Sequence, residues 1–434
     1  MASLTNDPAA VVRERLKDPH LLAELIKVSV TQSSASQSKF LRALEAAASA
    51  IRESLEANGL IHSIEKNHRC VWSEVAGKPI CFVDGGMANL SSLGTEPVAV
   101  RVGSFTVVPG DHSAGREAFR MEKQLVAELF DTGTENAAYE EIFEDPSKLR
   151  DAARISMEAA AALQAIRRSP APAYLFMHGA LVNPVSAYAD VRFPAFSNNG
   201  LRIMGAPQSI DWPHRQADFV VVYLELLNAL RASKTNVISV VERASFSSLV
   251  TRTWLMRFKD DEAGPGAALL EQSRRVLEEF RISDSVLFNA ILDEGEYLEP
   301  VEVDRNTVSK TPDHSRAIIE TYPRPFVTYL GVGAAAQPLR CEFFGSPTAG
   351  YADCLKLAYH CCCLMPNYAF PAGLDIVDKF AKVPNWMNRP IHSSMAVQMM
   401  KRAMDTGNTQ IIAAAKQMLC GTKRDWLLRP DFNR

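Results

Sequence analysis

"APAYLFMHGALVNP", Ala171 to Pro184, is the stretch whose reading decides the fold. Its middle, Tyr174–Met177, is a short apolar run that stops at His178-Gly179, which reads as a buried strand. Just upstream, "DPSKLRDAARISMEAAAALQAIRR" repeats apolar residues at helical spacing, with Asp145 as a candidate N-cap ahead of Pro146. A helix that feeds a buried strand, which then delivers one ionisable side chain to a glycine turn, is an α/β arrangement built to present a chemical group. Beside other acids an aspartate is expected there, and the chain has a histidine.

Working outward, "PICFVDGG" and "VAVRVGSFTVV" read as strands, as does "CVWSEV", all short, β-branched and bounded by turn residues. "GREAFRMEKQLVAELFDT" reads as a helix. Later, "ADFVVVYLELLNALRAS" is helical, "TNVISVVERA" is a strand and "SSLVTRTWLMRF" is helix-like. "FVTYLGVGAA" and "PLRCEFF" form a late hairpin, and the last stretch is mostly helical. From Ala9 to Gly59 the period is helical, with Asn58-Gly59 as the C-cap. The expected organisation is one α/β domain with helical additions at both ends.

The chain has 434 residues, 47% hydrophobic and 22% charged, which is a globular composition. A net charge of −3 leaves no electrostatic footprint for nucleic acid, so any positive surface must be local or come from a partner. No apolar run is long enough for a membrane span, and the N-terminus lacks a secretory pattern, so a cytoplasmic location is expected. Eight cysteines show no disulfide rhythm; Cys361-Cys362-Cys363 read as small buried hydrophobes in a reducing compartment.

Four constellations carry candidate chemistry. Asp84 follows the strand Ile80–Val83 and precedes Gly85-Gly86, which either let backbone or phosphate approach closely or simply open a tight turn. Glu158 lies at the edge of the apolar stripe of its helix, as a ligand or as a boundary residue reaching water. His178 is either a satisfied structural histidine or a ligand; adjacent strands would bring its end of the sheet near Asp84. Asp375 and Asp378, three apart on a helix opened by Pro371, either point into the sheet or complement the helix dipole. Carboxylates with one imidazole suit Mn²⁺, and carboxylates with water suit Mg²⁺. There is no Gly-x-Ser-x-Gly elbow, no P-loop and no dinucleotide fingerprint.

In this order, "FVDGGMA", "ARISMEAAAAL", "YLFMHGALVNP" and "YAFPAGLDIVDKF" resemble the NurA family of nucleases, which process DNA ends with a hexameric HerA-type ATPase. The resemblance runs from about Ile80 to Pro430 and implies a ribonuclease H-like mixed β-sheet core in a nuclease domain over residues 61–434; the helical segment over residues 1–60, read from its period, lies outside it. It implies Asp84, Glu158, His178 and Asp378 as catalytic ligands of Mn²⁺ or Mg²⁺, with His178 at the position of the family's aspartate and Val377 in place of its alanine. "NVISVVERASFSSLV" is similar to a family strand bearing a basic residue and small hydroxyls, here Arg243, Ser247 and Ser248, as substrate-binding groups; Arg243 otherwise reads as an ion pair with Glu242. The ending "TKRDWLLRP" is similar too. DNA, a HerA-type ATPase and a second copy of the chain are the implied partners, in DNA repair or anti-phage defence. The other reading is a NurA-like adaptor that guides DNA on the ATPase without cleaving it.

Overall fold

A computed structural model describes residues 19–89, 97–128, 146–191, 218–242, 249–260, 273–274, 276–304, 313–333, 336–345, 350–365, 368–383 and 385–420. Asp145, Arg243, Ser247, Ser248 and the "TKRDWLLRP" ending lie outside the described residues. The chain divides into two compact units, one made of residues 1–61 with 245–292, the other of residues 62–244 with 293–434.

In the first unit a long helix, α1 (Pro19–Ala57), ends at Asn58-Gly59, where Gly59 takes φ +65 as a helix-ending residue should. Lys39 pairs with Glu279 at 2.9 Å and Phe40 meets Phe280 edge-on. Among the described residues this unit also holds helices Leu249–Asp260 and Asp284–Ile291. Buried Asp284, in the later one, receives the backbone N–H groups of Val250 and Thr251, each at 3.0 Å, and so caps the earlier one.

The second unit holds the sheet. Its strands are β1 (Ile61–Ser63), β2 (Ile80–Asn89), β3 (Pro97–Val107), β4 (Glu117–Glu128), β5 (Tyr174–His178), β6 (Asn236–Val241), β7 (Glu296–Leu298), β8 (Val301–Glu302), β9 (Phe326–Leu330) and β10 (Leu339–Phe343). The order is β1-β7-β9-β10-β6-β5-β2-β3-β4, with β8 beside β9. Within it, β4-β3-β2 is an antiparallel meander, and β2, β5 and β6 are parallel neighbours. The sheet is mixed, with helices beside it, as the sequence resemblance implies. The late hairpin is β9 with β10.

Helices cover both faces, and side-chain alternation assigns them. Cys81, Val83, Leu175 and Met177 point into one core, against helices α3 (Pro146–Ile166) and α4 (Phe219–Arg231). Ile80, Phe82, Tyr174 and Phe176 point into the other, against two later helices, Tyr351–Cys362 and Ala372–Ala381. Cys361 and Cys362 are buried in this second core, as small hydrophobes.

Two segments differ from their sequence reading. "CVWSEV" belongs to helix α2 (His68–Glu74), because Asn67 caps it by accepting from the Arg69 N–H and only Val71 is buried. "GREAFRMEKQLVAE" contains strand β4, paired with β3 over its whole length. Its Glu, Lys, Gln and Ala favour helix only weakly, and a long neighbouring strand overrides that preference. Phe119 stacks on Phe105 at 4.7 Å, and Glu122 is buried in an ion pair with Arg168.

Candidate metal centre

Strand β2 does not turn at Asp84; it runs on to Asn89. The glycines therefore serve close approach. A Cβ at Gly85 would lie 2.6 Å from Glu158 Oε1, and one at Gly86 would lie 2.6 Å from the Ala381 carbonyl oxygen. The helix Ala372–Ala381, hereafter the Asp378 helix, sits equally flush further along, where a Cβ at Gly373 would enter the Phe82 ring at 2.4 Å. Helix and strand thus touch backbone to side chain with nothing between them.

The parallel pairing of β2 and β5 sets Val83 opposite Met177, so Asp84 and His178 emerge side by side. His178 is the last residue of β5, one beyond the run Tyr174–Met177, and its Nδ1 lies 2.9 Å from Asp84 Oδ2. The turn after it is fixed from below. Gly179, at φ +91, donates its N–H to the Val240 carbonyl, Ser239 Oγ donates to the Gly179 carbonyl, and Leu181 N–H donates to buried Glu342. Phe370 packs against the His178 ring at 5.2 Å.

The Asp378 helix brings the third group. One ligand atom from each of Asp84, His178 and Asp378 lies within 4.8 Å of the others. Asp375 takes a different place: it accepts from the Tyr368 hydroxyl and pairs with Lys379, so the two aspartates of this helix have separate roles. Glu158 reaches the site from the opposite face of β2, because Gly85 faces α3 while Asp84 and Gly86 face the Asp378 helix. It stands outside the three-residue group, and its Oε1 accepts from Arg154 Nη1 at 2.8 Å.

The electrostatics are those of buried acids crowded together. Burial, then the charge of Asp84, pushes Glu158 up to about 7 against the pull of Arg154. Burial and Asp84 also raise Asp378. Burial alone would lower the His178 imidazole, but the hydrogen bond and charge of Asp84, with Glu158 and Asp378, outweigh it and raise it. Two carboxylates and an imidazole whose ligand atoms lie this close together fit a divalent cation.

Glu158 gives a stability test with a definite sign. Its carboxyl is raised in the folded chain, so the folded form holds its proton longer, and stability falls as pH climbs from the unfolded value through about 7. Glu158→Gln is expected to leave metal-free stability unchanged at pH 4 and to raise it by roughly 3 kcal/mol at pH 8, measured by chemical denaturation.

Sequence reasoning missed Arg154, Phe370 and Tyr368. Only Arg154 left a signal, its four-residue spacing from Glu158. Among the described residues no helix is long and apolar enough to cross a membrane.

No protein-family description matches the chain by sequence, and no curated protein matches it. Solved structures similar to it include NurA structures. The crystal structure of the NurA nuclease from Sulfolobus solfataricus aligns over 88% of this chain and 98% of its own, at 11% identity and a TM-score of 0.48. A crystal structure of NurA with manganese aligns over 85% of this chain and 98% of its own, at 11% identity and a TM-score of 0.41. A structure of NurA bound to dAMP and manganese aligns over 82% and 94%, at 11% identity and a TM-score of 0.40.

Proposed function

We propose that the protein is a metal-dependent deoxyribonuclease that hydrolyses phosphodiester bonds at DNA ends, as a homodimer working with a HerA-type ATPase. One observation supports this above the rest: Asp84, His178 and Asp378, from three separate elements, converge at ligand distance. Asp84, His178 and Asp378 would hold Mn²⁺ or Mg²⁺, with Glu158 as a flanking acid. A bound divalent cation supplies a water of lowered pKa and stabilises the leaving oxygen. The chain's own residues fix the geometry. Asp84 is immobilised by its strand, His178 is oriented by Asp84 and Phe370, and Asp378 is placed by the flush packing of its helix.

The deciding assay is Mn²⁺-dependent cleavage of linear DNA by wild type, Asp84→Ala and His178→Ala, with and without a HerA-type ATPase. Cleavage that survives Asp84→Ala overturns the proposal. The adaptor reading draws on the His178–Asp84 hydrogen bond, which partly satisfies the site from within. It requires that neither substitution alter function in the complex.

The histidine sets cation choice. An imidazole must be neutral to bind a metal, and Asp84 favours its protonated form, so acid competes with the cation. His178→Asp restores a hard oxygen donor and is expected to raise Mg²⁺-supported cleavage relative to Mn²⁺ by about tenfold. Comparing initial rates in the two metals checks it.

A further inference from the structure

Arg154 lies outside the Asp84–His178–Asp378 group, yet its guanidinium is fixed beside Glu158. Nη1 donates to Glu158 Oε1, and Glu158 is in turn wedged against Gly85, so the fork cannot swing without dislodging a buried carboxylate. The Arg154 side chain is 33% exposed while that of Glu158 is 11% exposed, so the arginine spans the boundary between core and solvent. Glu158 is its one hydrogen-bonded partner among the described residues, and Asp151 and Asp84 are near enough to act on its charge. A guanidinium has five donors in one plane, and a carboxylate that takes one edge leaves the rest aimed outward.

A phosphodiester entering this site meets Asp84, Glu158 and Asp378, three carboxylates that repel it. A cation held rigidly beside Glu158, and near enough to Asp84 to feel its charge, offsets that repulsion. We propose that Arg154 grips a non-bridging oxygen of the substrate phosphate, with Glu158 as the residue that aims it. This rests on the nuclease reading, and it assigns to helix α3 the phosphate contact that the sequence placed on Arg243.

The test uses the full chain and thymidine 5′-monophosphate as probe, titrated calorimetrically with Mn²⁺ present and again in EDTA. Arg154→Met is expected to weaken nucleotide binding about ten- to a hundredfold, the usual loss for a hydrogen bond to a charged group. Arg154→Lys keeps the charge without the fork and is expected to fall between. Mn²⁺ affinity, titrated separately, is expected to hold or rise, because a competing cation has gone. If Arg154→Met fails to fold, Arg154→Lys carries the comparison, with several-fold weaker nucleotide binding expected.

Nucleotide affinity equal to wild type in both variants overturns the inference. So does a loss of nucleotide binding matched by an equal loss of Mn²⁺ binding, which makes Arg154 a support for Glu158 alone. A wild type that binds the nucleotide through Arg154 but neither binds Mn²⁺ nor cleaves DNA overturns the nuclease reading and leaves this contact standing.

Discussion

Asp84→Ala is expected to lower Mn²⁺-dependent cleavage by about a thousandfold or more, the equivalent of roughly 4 kcal/mol of transition-state stabilisation. Asp84 is the residue that the other groups share. It orients His178, it raises Asp378 and Glu158, and it lies on the strand against which both flanking helices pack. Removing it also frees His178 from its hydrogen-bond partner, so the imidazole proton is lost at lower pH. That change alone favours the cation, but a carboxylate ligand has gone, so a net loss is expected in Mn²⁺ affinity as well as in rate. Asp84→Asn separates charge from shape: it keeps the side-chain volume and is expected to be nearly as inactive. Calorimetric Mn²⁺ titration beside the cleavage assay checks both.

Gly86→Ala is expected to be the most damaging small substitution at the site. The added carbon would fall 2.6 Å from the Ala381 carbonyl oxygen and 2.8 Å from Lys382 Cα, both backbone atoms that cannot rotate away. The end of the Asp378 helix must lift, at a cost of about 1–3 kcal/mol in stability. Because Asp378 rides on that helix, Mn²⁺ affinity is expected to fall about tenfold even where the chain still folds. A melting curve with a metal titration distinguishes this from general unfolding: Ala at solvent-open Gly77 has no neighbour to meet, though its φ of +75 carries strain of its own.

The sequence was most legible where burial on both faces writes an uninterrupted apolar run. Strands β2, β5 and β6 are of that kind, and Asp84 and His178 stand out because each ends such a run beside glycine. Asp378 was reached through the family resemblance, since its spacing from Asp375 gave no way to tell which of the two faces the sheet. Strand β4 misled because it lies at the end of the sheet, where its pattern is set by partners such as Phe105 and Arg168 that no local window contains. The position of Glu158 across β2 from the other three was illegible for a related reason. It depends on which side of a strand a glycine opens, and a glycine has no side chain to declare it.

The flush contact at Gly86 and Gly373 has a thermodynamic consequence. With no gap between helix and strand, the separation of Asp84 from Asp378 is decided when the chain folds, and an arriving ion has no jaw to close. The ordering entropy of the cage is settled in advance, so the full attraction of the ligands is expressed as affinity. An ion bound there would be released only as the packing itself is disrupted, and would act as a thermodynamic lock on this face of the sheet.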